Sequence, residues 1–331
     1  MLEPIVLRAN QPADRFYRGG PRIAAFRGHG APGDHVPEDW VGSTTSLFGE
    51  PELGQTILPD GRTLRAHIAD DPVMWLGEAH VSRWGADPAL LVKLLDAGQR
   101  LPVHVHPDRG FAAERLGLAH GKTEAWVLIE PGTMHLGFRR PVGREELDHW
   151  VTTQDVDAML GAMHEFSAEA GESILVPAGM PHAIGEGAFL VELQEPTDLS
   201  IMLEWRGFSL DGARDGHLGL GFATALDAVD LRGWDAGEIR ALRTAPGRIG
   251  SVFPPASAPF FRGDRVRVSG SESVDAGFGV LVVLAGTGEL SAGGTSVLLD
   301  RGATVLVPHA AGPWILAGEL ELLRCRPPAV V

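Results

Sequence analysis

Two histidines stand two residues apart in His104-Val105-His106, and the alternation of a strand turns both imidazoles to one face, as ligands of a single metal at i and i+2 must be. Lys122-Thr123-Glu124 opens an apolar strand that runs on through Trp126, and the turn Pro177-Ala178-Gly179-Met180-Pro181-His182 delivers a third imidazole. Taken singly, a His-x-His pair, a strand-initial glutamate and a Pro-rich turn have ordinary structural readings. Taken together, three histidines and one glutamate in a half-buried place would be costly without a cation to satisfy them. His104, His106, Glu124 and His182 therefore read as the ligands of one divalent metal. Imidazole and carboxylate suit zinc, iron, manganese, nickel or cobalt, and a catalytic site keeps a further position open to water or substrate.

Composition narrows the chemistry. The chain has 331 residues, 44% of them apolar and 21% charged, which is a globular composition long enough for two domains. Twenty-eight Lys and Arg against 43 Asp and Glu leave a formal net charge of −15, which argues against nucleic acid or an anionic membrane as a partner. The single cysteine, Cys325, can neither form an internal disulfide nor build a thiolate zinc site, so a metal must be held by histidine and carboxylate. The opening MLEPIVLRANQPADRF lacks a basic stretch followed by an apolar run. No run of about eighteen apolar residues occurs, and the expected location is the cytoplasm.

The elements that must carry these residues are mostly strands. Gly (43) and Pro (24) are scattered and cut the chain into short segments. Apolar runs between turns predict strands at Glu124–Glu130 and over 173–177, 188–193, 199–205, 278–285, 304–308 and 320–324. Helical patterning is confined to 87–97, 107–116 and 153–165, the last with Asp155 as a cap. A weak repeat, Gly171-x5-Pro177 and Gly302-x5-Pro308, places the same Gly turn, strand and Pro turn in both halves. The expected fold is all-β, two jelly-roll barrels with a few short helices. Residues 1–240 would form the metal-binding unit, with 207–250 reading as a linker containing short helices, and 241–331 the second unit. In that second unit Ala310 and Pro313 take the places of Gly179 and His182, so it carries no ligand.

Four separated motifs occur in order: Leu91-Val92-Lys93-Leu94-Leu95-Asp96-Ala97, Leu101-Pro102-Val103-His104-Val105-His106-Pro107-Asp108, Gly121-Lys122-Thr123-Glu124-Ala125-Trp126, and Val176-Pro177-Ala178-Gly179-Met180-Pro181-His182-Ala183-Ile184. Together they resemble the type I mannose-6-phosphate isomerases in their short bacterial form. Gly171-x5-Pro177-x-Gly179-x2-His182 is similar to the second motif of cupin barrels, and Glu192-Leu193-Gln194 and Thr197-Asp198 follow in the family's order. The resemblance implies two cupin domains and interconversion of mannose 6-phosphate and fructose 6-phosphate. It also implies one divalent metal, zinc first, held by His106, Glu124 and His182, with His104 where the family has a glutamine.

Aldose–ketose isomerisation removes a proton beside a carbonyl and stabilises an enediolate, which a divalent cation does by holding adjacent sugar oxygens. Lys122 and Glu192 are the acid–base candidates. Lys93, Lys122, Trp126 and Arg206 are the substrate-binding candidates, Trp126 by stacking on a sugar face. One departure stands out: the family's catalytic arginine position falls on Met202, and a thioether offers none of a guanidinium's charge or donors. Arg206, four residues on and on the same face if the strand continues, starts roughly 13 Å away. The expected partner is a sugar or sugar phosphate, and the expected assembly a monomer or homodimer. The alternatives are an isomerase acting on a different or non-phosphorylated sugar, another cupin enzyme such as an iron or manganese oxygenase, and a non-catalytic sugar-binding cupin.

Overall fold

The run Leu-Val-Lys-Leu-Leu-Asp, expected within a helix, is a strand. In the computed structural model, which describes residues 2–330, Leu91–Asp96 is buried along its whole length. It is hydrogen-bonded on one edge to Glu38–Val41 and on the other to Phe189–Gln194. A short apolar run with no polar face suits a helix or a strand covered on both sides, and the presence of two pairing partners decides for the strand.

Among the described residues the strands form three antiparallel sheets. A six-stranded sheet runs in the order Arg243–Thr244, Ser173–Val176, Glu124–Glu130, Phe189–Gln194, Leu91–Asp96, Glu38–Val41. A five-stranded sheet runs Ile201–Met202, His104–Val105, His182–Ile184, Gly132–Phe138, Met163–Ala168. The third, seven-stranded, is built on the long strands Arg262–Val274, Gly279–Ala292 and Trp314–Arg326. Strand alternation makes the six-stranded sheet the middle layer. Leu95, Trp126, Leu128, Ile174 and Leu190 face Met134, Leu136 and Ile184 of the five-stranded sheet. Their neighbours Leu94, Ala125, Val127, Leu175 and Val191 face Val280, Val282, Leu306 and Leu323 of the seven-stranded one. The all-β expectation holds, with short helices of which the longest, Arg144–Thr153, has ten residues.

The sequence repeat corresponds to one local structure used twice. Gly171 and Gly302 have φ of +84° and +88°. Gly171 donates to the Leu128 carbonyl while Leu128 donates to that of Glu172; likewise Gly302 donates to Val283, and Val283 to Ala303. In both corners a Cβ on the glycine would sit in the left-handed region that L side chains rarely adopt.

The chain's ends interlock with these layers. Ile5–Val6 pairs with Thr304–Val307, and Arg243–Thr244 pairs with Ser173–Val176. The expected helix over 153–165 is Val156–Ala162, with Asp155 accepting from the Ala158 amide; from Met163 the chain is already strand. The expected strand over 199–205 shrinks to Ile201–Met202, since from Leu203 the backbone amides turn to the Val103 carbonyl and then to the Gln154 side chain. The segment 207–250 carries the short helices Gly212–Asp215, Phe222–Ala225 and Ala236–Ala241. Among the described residues no helix is long and apolar enough to cross a membrane.

Candidate active site

The five-stranded sheet lines up the imidazoles. His104 is paired with His182 on one side and with Met202 on the other. The Pro-rich turn reaches this position because Gly179, at φ +86°, donates its amide to the His106 carbonyl at 2.7 Å. Each ring is then fixed by its inner nitrogen: Nδ1 of His104 bonds the Pro102 carbonyl, that of His106 the Leu199 carbonyl and that of His182 the Met180 carbonyl, each at 2.8 Å. A ring that donates from Nδ1 leaves its Nε2 lone pair to accept or ligate. Ligand atoms of the three rings lie within 4.8 Å of one another, and all three residues are buried. Burial, reinforced by neighbouring positive charge, holds His104 well below the usual imidazole range and His106 at about 3, so both are neutral at physiological pH.

Glu124 comes from the six-stranded sheet and meets this group edge on. Its Oε2 is 3.0 Å from His106 Nε2 and its Oε1 is 3.4 Å from His182 Nε2. Burial would raise its pKa, but the Lys122 ammonium beside it outweighs that, and the carboxyl is held well below the ordinary range. Trp126 donates Nε1–H to Glu124 Oε1 at 2.9 Å. Its ring is fully buried behind the carboxylate, against His182, so Trp126 orients Glu124 and does not present a face to a sugar as expected.

A cavity of about 510 Å³ opens beside this cluster, lined by His104, Glu124, Lys122, Lys93, Glu192 and Met202 among others. Lys122 Nζ lies 2.8 Å from Glu124 Oε2, 3.0 Å from His106 Nε2 and 3.6 Å from Glu192 Oε1. Burial alone would lower its pKa; Glu124 and Glu192 reverse the sign and keep it an ammonium. Lys93 Nζ sits 3.4 Å from Glu38 Oε2 and 3.9 Å from Glu192 Oε1, over the Trp40 ring. Glu192 Oε1 is buried with no hydrogen-bond partner. Burial, then repulsion from Glu124, raises Glu192 to about 7, with Lys122 and Lys93 opposing. A carboxyl poised near neutrality inside a cavity is suited to moving protons.

Arg206 is not brought to this cavity. The strand ends at Met202, so the even offset does not keep position 206 on the same face; the side chain is exposed and donates to the Thr153 carbonyl. The cavity instead draws residues that motif spacing did not reveal. Arg15, Tyr17 and Glu38 come from the amino-terminal 40 residues, Ser200 from the approach to Met202, and Leu210 and Arg214 from the segment read as a linker; Asp198, of the Thr197-Asp198 pair, also lines it. The signal available for Glu38 was its place in Glu38-Asp39-Trp40-Val41, two acids abutting a tryptophan in a strand that proves wholly buried.

No protein-family model matches the chain. The mannose-6-phosphate isomerase of Streptococcus mutans is 27% identical over 333 residues, covering 98% of both chains. The crystal structure of the mannose 6-phosphate isomerase from Bacillus subtilis superposes with a TM-score of 0.75 at 21% identity, covering 98% of this chain and 99% of that one. A mannose 6-phosphate isomerase bound with zinc and yttrium superposes with a TM-score of 0.72 at 17% identity, covering 98% and 100%. Matched from end to end in sequence by one such protein and in fold by two others, the chain is similar to mannose-6-phosphate isomerases along its whole length and shares their fold.

Proposed function

We propose that this protein is a metal-dependent mannose-6-phosphate isomerase, an aldose–ketose isomerase that interconverts mannose 6-phosphate and fructose 6-phosphate. The observation that carries the reading is the convergence of three imidazoles and an ionised carboxylate beside a cavity that His104 and Glu124 line together with Lys122 and a near-neutral Glu192. The donor set fits a divalent ion. His182 Nε2 is buried without a hydrogen-bond partner, a state that costs about 1–3 kcal/mol unless something binds the lone pair. His104, His106, Glu124 and His182 would hold the ion, and three nitrogens with one oxygen suit zinc. The zinc-bound relative supports that choice.

When bound, the ion supplies Lewis-acid polarisation to the sugar's oxygens. The protein's own groups do the rest. Glu192, ionised in part at pH 7, takes the proton from C2 of the open-chain aldose, and the same carboxyl returns a proton to C1. The C2–H bond breaks, a C1–H bond forms, and the C2 hydroxyl proton passes to the oxygen on C1. The Lys122 ammonium, 3.6 Å from Glu192 Oε1, would hold those two oxygens and ease that second transfer, while Lys93 favours the ionised form of Glu192. The repeated Gly corners support two related jelly-roll units, 1–240 and 241–331, the second without ligands. Incubating the metal-loaded protein with mannose 6-phosphate should yield fructose 6-phosphate at about 1–10³ s⁻¹. Absence of product with zinc, cobalt, manganese, nickel and iron forms alike would remove the reading.

A further inference from the structure

Four cationic side chains line the cavity among the described residues: Arg15, Lys93, Lys122 and Arg214. Lys122 is engaged by Glu124, and Lys93 lies between Glu38 and Glu192. Arg214 is a rim residue, its side chain 75% exposed and paired with Asp215. Arg15 differs from all three. Its side chain is only 13% exposed, its Nη2 reaches Glu38 Oε1 at a long 3.4 Å and Asp198 Oδ1 at 4.0 Å, and its Nε is buried with no partner. A guanidinium carries five N–H donors in a planar fork, and leaving a charged donor buried and unpaired is expensive.

The surroundings hold that fork still. The Arg15 amide donates to the His35 carbonyl at 3.0 Å, and the Arg15 carbonyl accepts from His35 Nδ1 at 2.7 Å. Glu38 is itself fixed by the Tyr17 hydroxyl and the Trp40 indole, each donating at 2.7 Å. A cation this well positioned, with donors to spare, is what a doubly charged oxyanion needs at one end of a cavity. The strand end at Met202 contributes a thioether, so Arg15 is the more enclosed of the two guanidinium groups that line the cavity among the described residues.

We propose that Arg15 receives the phosphoryl group of the substrate, its guanidinium donating to two phosphate oxygens, and so sets the preference for a phosphorylated over a free sugar. The inference rests on the isomerase reading for the identity of the sugar. Its test is a binding measurement on the metal-loaded protein, calorimetric titration with mannose 6-phosphate and with mannose, for the wild type, Arg15→Met and Arg15→Lys. Arg15→Met should weaken mannose 6-phosphate binding about 100-fold and Arg15→Lys about tenfold, with mannose affinity within about twofold of wild type. In turnover the loss should fall more on KM than on kcat. Should Arg15→Met fail to fold, as judged by its melting curve and metal content, Arg15→Lys carries the test. Equal weakening of both sugars, no weakening of either, or a wild type that does not prefer the phosphorylated sugar would each overturn the proposal. A wild type that binds the phosphorylated sugar in preference, through Arg15, without turning it over would remove the isomerase reading and leave the Arg15 assignment standing.

Discussion

Met202 lies directly across the antiparallel ladder from His104, which on its other edge faces His182. The position where the family resemblance implies a catalytic arginine is therefore one rung from the histidine cluster, and it holds an uncharged side chain that lines the cavity. A thioether there can contribute packing and little else. Met202→Ala should cost about 2 kcal/mol of stability by opening space in a mostly buried position, while kcat/KM for mannose 6-phosphate stays within about threefold. Chemical denaturation and steady-state kinetics check the two halves separately.

Lys122 and a bound metal compete for the same donors, since its ammonium stands against Glu124 Oε2 and His106 Nε2. Removing that charge with Lys122→Met should tighten metal binding about tenfold, measured by competition with a chelator, and lower turnover at least about 100-fold. Weaker metal binding in the variant would show that Lys122 supports the site.

The state of Glu192 fixes the direction of the pH profile. As a base it must be ionised, so log kcat/KM should rise with pH through about 7 and then level. The stability effect has the opposite slope. A carboxyl whose folded pKa is raised to about 7 favours folding fully below its unfolded value of about 4.3, and that contribution is lost as pH rises through about 7. Glu192→Gln should abolish turnover and be more stable than wild type at pH 8. Both are read from one set of pH-dependent assays and melting curves.

His120 offers a second pH-dependent effect away from the metal ligands. Its Nε2 is 2.8 Å from Asp87 Oδ2 and its Nδ1 is 3.8 Å from Glu195 Oε1. Burial alone would lower its pKa, but these carboxylates outweigh it and lift the imidazole to about 9. The stabilisation is complete below the unfolded value of about 6.5 and is lost as pH climbs through about 9. Glu195 also accepts the Thr123 amide at 2.9 Å, between Lys122 and Glu124. His120→Gln should flatten the fall in melting temperature between pH 6.5 and 9 that the wild type shows.

The cluster of three imidazoles could be read from the sequence because its geometry is local. A His-x-His on a strand and a Gly-x2-His turn encode their own orientation, and the repeated Gly corner announces itself by spacing. The helix expected over 87–97 failed because a leucine-rich run has no period that separates a helix from a strand buried on both faces; the partners that decide, Glu38–Val41 and Phe189–Gln194, are remote in sequence. Arg15 escaped notice for the same reason, since only the fold brings it against Glu38. Arg206 shows the converse error: parity along a strand predicts nothing once the strand has ended, here at Met202.

His104, His106, Glu124 and His182 are proposed to hold one divalent ion. X-ray absorption at the zinc edge, on zinc-loaded protein with metal content measured in the same sample, tests it most directly. The expected result is one zinc per chain with three imidazole nitrogens and a carboxylate oxygen at about 2.0–2.2 Å, falling to two imidazoles or to no metal in His182→Ala. A wild-type spectrum with fewer than three imidazoles, or one unchanged in His182→Ala, would contradict the account.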